Sequence, residues 1–334
     1  MNDTMTRRFY SCLLFLFLAF ISPLTHAADP AFSQQPDVQA FITKMVKQYK
    51  FNKKELVYIF NHVKMRPQVL HYVKKPLEKK TWGTYQRLFV NEWRIQRGVV
   101  FWDKYEDILR KAEKTYGVPA SIIVATIGIE TRYGQKMGGH RVIDSLSNLA
   151  FSDSPRAPFF RKELEHFLLL TREEKLDPLK VMGSYAGAMG QPQFMPSSYR
   201  RYAVNFSKSG KIDLMNDEAD VIGSIGNYYK VNGWRPHQPI AVQAHINDAG
   251  INFLNSQTKT SFPLVDLTKH GIVPKTKIVQ DTLKVKLLEL EINDGKEYWL
   301  GFHNFYVIKR YNPSNLYAMA VFQLSNYITE IKKR

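Results

Sequence analysis

The sequence predicts an α+β protein that is mainly α, a helical body carrying a small β-rich domain. Three observations predict it. Residues 37–116 repeat apolar side chains at helical spacing, residues 120–130 form an apolar run closed by one acidic residue, Glu130, and residues 284–292 alternate apolar and charged side chains as a strand does. No fixed-period repeat or low-complexity segment is visible, which sets aside solenoids and tethered arrays.

Residues 1–27 read as a secretory signal. Arg7 and Arg8 supply the positive start, residues 12–24 are nearly all apolar, and Thr25-His26-Ala27 offers small residues for cleavage after Ala27. As a permanent membrane anchor the run is short of the ~20 residues a spanning helix needs, and Pro23 interrupts it. The single cysteine, Cys12, lies at the start of the apolar stretch, where a lipid-attachment cysteine would not sit. The expected mature chain is therefore periplasmic and soluble, with no disulfide, no lipid and no stable membrane insertion, and it is long enough to fold without staples.

Residues 28–100 form an expected N-terminal helical region. Val38, Phe41, Ile42, Met45 and Tyr49 share one face, as do Leu56, Ile59, Phe60 and Val63. Asn52 followed by Glu55 resembles a capping box, and Pro67 and Pro76 break the pattern. Residues 101–236 are the expected core. One run, Phe101, Trp102, Tyr105, Ile108, Leu109, Ala112 and Tyr116, stops at Gly117 and Pro119, and the next helix, 120–130, is apolar enough to be buried on most sides. Residues 183–199 are rich in Gly, Pro, Ser and Gln. Residues 237–300 form the β-rich domain, with strand-favouring aromatics continuing from Tyr298 to Tyr311, and residues 301–334 are a C-terminal segment.

Lys and Arg number 47 against 30 Asp and Glu, a net +17, and removing Arg7, Arg8 and Asp3 leaves +16. Such charge attracts polyanions; for an exported protein these are wall polymers and anionic headgroups rather than nucleic acid. Glu130 shares a helical face with Ile123 and Ile127, so its carboxyl meets desolvated surroundings of the kind that keep a Glu protonated as a general acid. The alternative is a helix-end Glu that reaches solvent or pairs with Arg132. Other chemistries find less support. There is no HExxH or Cys/His cluster for zinc, no Gly-rich phosphate loop, and Ser184 in Met182-Gly183-Ser184-Tyr185-Ala186 lacks the first Gly of a nucleophile elbow. Residues 205–216 have the shape of an EF-hand loop, with Asn205, Ser207, Ser209, Lys211 and Asn216 at liganding places and Gly210 at the turn. Only Asp213 inside it is acidic, and Lys208 and Lys211 add positive charge, so no metal is expected there, and no cofactor elsewhere.

Ile127-Gly128-Ile129-Glu130-Thr131-Arg132-Tyr133-Gly134, the block from Gly187-Ala188-Met189-Gly190-Gln191-Pro192-Gln193 to Tyr199, and Tyr311-Asn312-Pro313-Ser314-Asn315-Leu316-Tyr317 resemble the signature blocks of the membrane-bound lytic murein transglycosylase B family. The resemblance implies a lysozyme-like helical core with a flanking helical region, a small β-rich domain, and a C-terminal segment returning to a groove for peptidoglycan glycan strands. It implies cleavage of the MurNAc-GlcNAc bond with a 1,6-anhydro ring, one Glu acting as acid and then base, and Glu130 matches that Glu. Ser184, Gln193, Arg156, Tyr85, Tyr228, Tyr311, Asn312 and Tyr317 match substrate-binding positions. The family's paired arginines appear as Pro155-Arg156, a nearby tyrosine is Phe159, and the calcium loop has lost acidic residues at Asn205, Ser209 and Asn216. A wall-binding or scaffolding protein without turnover is the alternative on the same fold, and cell-wall synthesis or division proteins are expected partners.

Overall fold

The computed structural model describes residues 31–73, 80–256, 260–278 and 282–334; the signal-peptide reading, Cys12 and Pro76 lie outside them. The N-terminal helices are α1 (Pro36–Tyr49), α2 (Lys53–Asn61) and α3 (Pro67–Val73). The Asn52 side chain caps α2 as expected, accepting from the Lys54 and Glu55 amides at 2.8 and 3.4 Å. Pro67 breaks the preceding chain but opens α3, because the first helical position needs no amide donor and suits the proline ring.

Helices α4 (Trp82–Phe89), α5 (Glu92–Lys104) and α6 (Glu106–Tyr116) follow. The single run read through residues 101–116 is in fact two helices. Tyr105 leaves helical geometry at φ −118° and ψ 26°, while the apolar spacing continues on both sides of it. The stop at Gly117 holds: the residue is left-handed at φ 70°.

Helix α7 (Ala120–Thr131) is the axis of the molecule. Every residue from Ile122 to Ile129 is buried, and α5, α6, α11 (Glu218–Val231) and α15 (Asn315–Lys332) pack around it. Behind its last turn the Tyr133 ring fills a notch left by two glycines. Its hydroxyl donates to the Arg94 carbonyl at 2.7 Å, and a Cβ on Gly128 would lie 2.5 Å from that hydroxyl. Helices α8 (Val142–Ala150), α9 (Ala157–Glu173) and α10 (Pro196–Tyr202) complete the core, and a two-stranded ribbon, β1 (His140–Arg141) antiparallel to β2 (Met182–Gly183), leads into Ser184.

The β-rich region is a five-stranded antiparallel sheet in the order β4-β6-β7-β3-β5, with β3 (Ala241–Ile246), β4 (Phe262–Pro263), β5 (Ile272–Pro274), β6 (Lys284–Ile292) and β7 (Gly295–Gly301). Two helices, α12 (Asp248–Asn255) and α13 (Leu264–Lys269), interrupt it. Strand β6 is buried on both faces: Leu288 and Leu290 join the main core, while Val285 belongs to a separate cluster with Leu264 and Leu300. The strand reading of residues 298–311 is corrected beyond Gly301. Residues His303–Ile308 form helix α14, because Phe305, Val307 and Ile308 all face the helical core, a pattern that strand alternation does not allow.

Loop 205–216 is held by the protein itself. The Asn205 side-chain oxygen accepts from the Ser209 amide at 3.0 Å and the Ser207 hydroxyl at 3.3 Å, and Ser209 donates to the Lys211 carbonyl at 3.0 Å. Burial pushes the Asp213 pKa up, but hydrogen bonds from Asn216 and Met215 and the charge of Lys211 outweigh it, leaving the carboxyl below its ordinary value. The fully buried Asp220 of α11 spans the loop, accepting from the Ser207 and Asp213 amides at 2.9 and 3.0 Å. Oxygens that would ligate calcium are thus turned toward the loop's own donors, beside two lysines, and this donor set does not fit the ion.

Two measurements check this packing. Gly128→Ala is expected to lower unfolding free energy by about 1–3 kcal/mol through the clash with Tyr133, read by denaturant titration. Asp220→Ala, which orphans two amides, is expected to cost about 2–4 kcal/mol, while millimolar calcium leaves the wild-type melting temperature unchanged.

Candidate active site

Glu130 is placed by the way α7 ends. Arg132, Tyr133 and Gly134 are left-handed in succession, at φ 54°, 58° and 82°. The reversal is capped by the Arg132 and Tyr133 amides on the Gly128 and Ile127 carbonyls at 3.2 and 3.3 Å, and by Thr131, whose hydroxyl donates to the Gln191 carbonyl at 3.0 Å. Arg132 lies with its guanidinium 4.1 Å from the Trp93 ring centroid. Glu130 is the one half-buried residue of an otherwise buried stretch, and its carboxylate accepts from the Tyr317 hydroxyl at 2.6 Å.

Around it four tyrosines form a cluster. Tyr311 stacks on Tyr317 at 6.2 Å between centroids and lies 4.7 Å from Tyr228 and 5.7 Å from Tyr229. Each hydroxyl has a partner: Tyr228 donates to the Arg310 carbonyl, Tyr311 to the Pro192 carbonyl and Tyr317 to Glu130, all at 2.6 Å, and Tyr229 meets Thr126 at 2.9 Å. Burial first, and the negative field of Glu130 among the further causes, pushes all four pKa values upward. They stay protonated at neutral pH and act as donors.

Beside this cluster opens a cleft of about 720 Å³ whose walls include Arg156, Phe159, Tyr185, Gln193, Tyr228 and Asn312. A hollow of about 830 Å³ is larger, but it borders Gly117 and Pro119 at the other end of the twelve-residue α7, roughly 15 Å from Glu130. The candidate site is therefore the smaller cleft, which shares Tyr228 and Tyr311 with the tyrosine cluster around Glu130. Tyr311 also lines it, so five of the expected residues, Arg156, Gln193, Tyr228, Tyr311 and Asn312, share one wall system. Gln193, itself left-handed at φ 52°, donates to the Met137 and Gly190 carbonyls at 3.0 Å. Arg156 is exposed and rests its guanidinium on Phe159 and Phe160 at 5.3 and 5.1 Å. Ser184 accepts from the Ala186 and Ala188 amides at 3.2 and 3.0 Å, which leaves its hydroxyl proton available.

Two expected residues lie deeper. Tyr317 is 2% exposed and reaches Glu130 from behind the cleft wall, while Tyr85, also 2% exposed, stacks on Phe89 at 4.5 Å within the core. Sequence reasoning missed Glu163, Arg310 and Tyr229. Glu163 lines the cleft but is 4% exposed, and it accepts from the Ser197 amide at 2.9 Å and hydroxyl at 2.7 Å. Its signal was present: a carboxylate on the apolar stripe of Phe160, Leu164 and Phe167.

Comparison with known proteins agrees with this architecture. The family model described as "Transglycosylase SLT domain" matches residues 33–326. Membrane-bound lytic murein transglycosylase B of Escherichia coli (strain K12) is 42% identical over 307 residues, covering 89% of this chain and 84% of that one. The crystal structure of soluble lytic transglycosylase SltB1 from Pseudomonas aeruginosa superposes with a TM-score of 0.82 at 44% identity, over 90% of this chain and 100% of that one. SltB3 from Pseudomonas aeruginosa, in complex with NAG-NAM-pentapeptide, gives 0.80 at 28% identity, over 90% and 80%. The helical body that holds Glu130 is thus a lysozyme-like lytic transglycosylase core, and the chain is an enzyme of the lytic murein transglycosylase family of the membrane-bound B and soluble SltB type.

Proposed function

We propose that the enzyme cleaves the β-1,4 bond between MurNAc and GlcNAc in peptidoglycan and leaves a 1,6-anhydro-MurNAc end, with Glu130 as the only acid and base. In this reading the Glu130 carboxyl donates its proton to the glycosidic oxygen as the C1–O bond breaks. The resulting carboxylate takes the proton of the C6 hydroxyl as that oxygen closes on C1. The substrate supplies the nucleophile intramolecularly, with the entropic advantage of a tethered group.

The observation that carries it is the state of the second carboxylate. Glycosidases that use water or a covalent intermediate set two carboxyl groups across the scissile bond. Among the described residues lining the cleft the only carboxylate is Glu163, and its oxygens are occupied by Ser197 in a buried position. Glu130 is the acid left for chemistry, and Tyr317 aims it. Ser184, Gln193, Tyr228, Tyr311 and Asn312 bind the sugars in this proposal, Arg156 takes the lactyl or peptide carboxylates, and Tyr85 supports the site from the core. The setting is the periplasm, reached by a cleaved signal peptide, where the enzyme acts in wall turnover and remodelling with synthesis or division proteins as partners. No helix among the described residues is long and apolar enough to cross a membrane.

Digestion of murein sacculi followed by mass spectrometry is expected to show anhydro ends; reducing ends would overturn the mechanism, and binding without product release would mark a wall-binding protein. Glu130→Gln is expected to lower kcat by about 10²–10⁴ with sacculus binding retained. Tyr317→Phe removes one hydrogen bond to a carboxylate, about 1.5–3 kcal/mol, so it is expected to reduce kcat by about 10–100-fold with little change in KM.

A further inference from the structure

A second hollow, of about 500 Å³, lies where the sheet meets α14, and its wall chemistry is one-sided. Among the described residues, Arg235, Lys284 and Lys286 supply three cations, and the remaining polar lining, Gln238, Ser261, Thr282, His303 and Tyr306, contains no carboxylate. The crowding continues at its rim. Lys286 and Lys309 place their ammonium groups 5.2 and 5.7 Å from the centroid of the same Tyr306 ring. Burial first, and the charge of Lys286 second, lowers the Lys309 pKa. None of Arg235, Lys284, Lys286 or Lys309 forms an ion pair with an acidic side chain among the described residues, whereas Lys44, Arg141, Arg200, Lys296 and Lys332 all do. The next residue after Lys309 is Arg310, which lines the catalytic cleft. Lys309 and Arg310 thus place cations at consecutive positions between the hollow and the cleft wall, while Arg235 and the two β6 lysines come from separate segments.

Unpaired cations gathered on one face raise the local potential and favour an anion supplied from outside. The ligand must be anionic and extended, because the charges are spread from a cleft to a separate hollow. Resting on the peptidoglycan reading above, we propose that Arg235, Lys284, Lys286 and Lys309 form an extended subsite that binds the carboxylates of stem peptides on the part of the strand outside the cleft. A cleft of about 720 Å³ encloses only a short piece of a glycan polymer, and each muramoyl unit beyond it carries a peptide with free carboxylates. The stems project away from the sugar chain, and a basic surface beside the cleft meets them without needing to read the sugars.

The test uses the full chain with Glu130→Gln, so that binding is measured without cleavage. Lys284→Gln combined with Lys286→Gln is compared with Lys284→Arg combined with Lys286→Arg, on intact sacculi and on sacculi stripped of stem peptides by an amidase. The Gln pair is expected to bind intact sacculi about 10-fold more weakly with a shallower salt dependence, the Arg pair to bind normally, and both to bind stripped sacculi alike. With Glu130 restored, the Gln pair is expected to cleave a short peptide-free glycan at the wild-type rate. Unchanged binding of the Gln pair to intact sacculi overturns the proposal, as does an equal loss on stripped sacculi. Loss confined to vesicles containing anionic phosphatidylglycerol also overturns it and assigns the face to a membrane surface. Since binding is read without turnover, absence of anhydro products would defeat the mechanism and leave this measurement able to decide the subsite.

Discussion

The molecule is organised around the burial of α7 and the way its chain leaves that burial. A helix apolar on every side satisfies its own backbone and can sit in a core, but its last carbonyls still need partners. Here the exit is made by three left-handed residues in a row, of which only Gly134 adopts that geometry without strain. Arg132 and Tyr133 are held there by their amide caps, by the Trp93 ring under the guanidinium, and by the notch at Gly128 that takes the Tyr133 hydroxyl. Strain kept in place by so many contacts fixes the residue two positions earlier. Glu130 consequently faces α15, and α15 packs along α7 in the register that brings Tyr317 to its carboxylate.

Much of this was legible from the chain alone. An apolar run with one terminal acid has few structural solutions, and Gly117 and Asn52 are strong local signals, so α7, the helix end before it and the α2 cap were found where they lie. The failures have a common cause: the competing signal was tertiary. Tyr105 breaks a helix whose apolar spacing runs on unbroken, and residues 303–308 are aromatic enough to suggest strand but face a helical core. The burial of Tyr85 and Tyr317 was hidden for a similar reason, since tyrosine is at home in a groove and in a core, and only the hydroxyl's partner distinguishes the two.

The charge is also unevenly spent. Asp144 is 1% exposed and neutralised by Arg141, with the Lys64 amide donating to it at 3.0 Å, so a buried carboxylate ties the N-terminal helices to the ribbon before Ser184. Most other ion pairs lie at the surface, where they add little to stability. A net charge of +17 means that many cations have no acidic partner, and among the described residues the sheet hollow together with the cleft rim gathers a group of them.

The carboxylates of Glu163, on the cleft wall, and Glu130, beside the tyrosine cluster, are held in different ways. Glu163 is satisfied by two donors from Ser197 at the start of α10, and in that state it holds the corner of chain that carries Met195 and Ser198 into the cleft wall. Glu130 accepts from the Tyr317 hydroxyl and stays half-buried beside tyrosines whose pKa values burial pushes upward. The proposed mechanism needs a carboxyl that gives up a proton and regains one within a turnover, and it is proposed for Glu130, half-buried, rather than for Glu163, which is 4% exposed and bonded twice to Ser197.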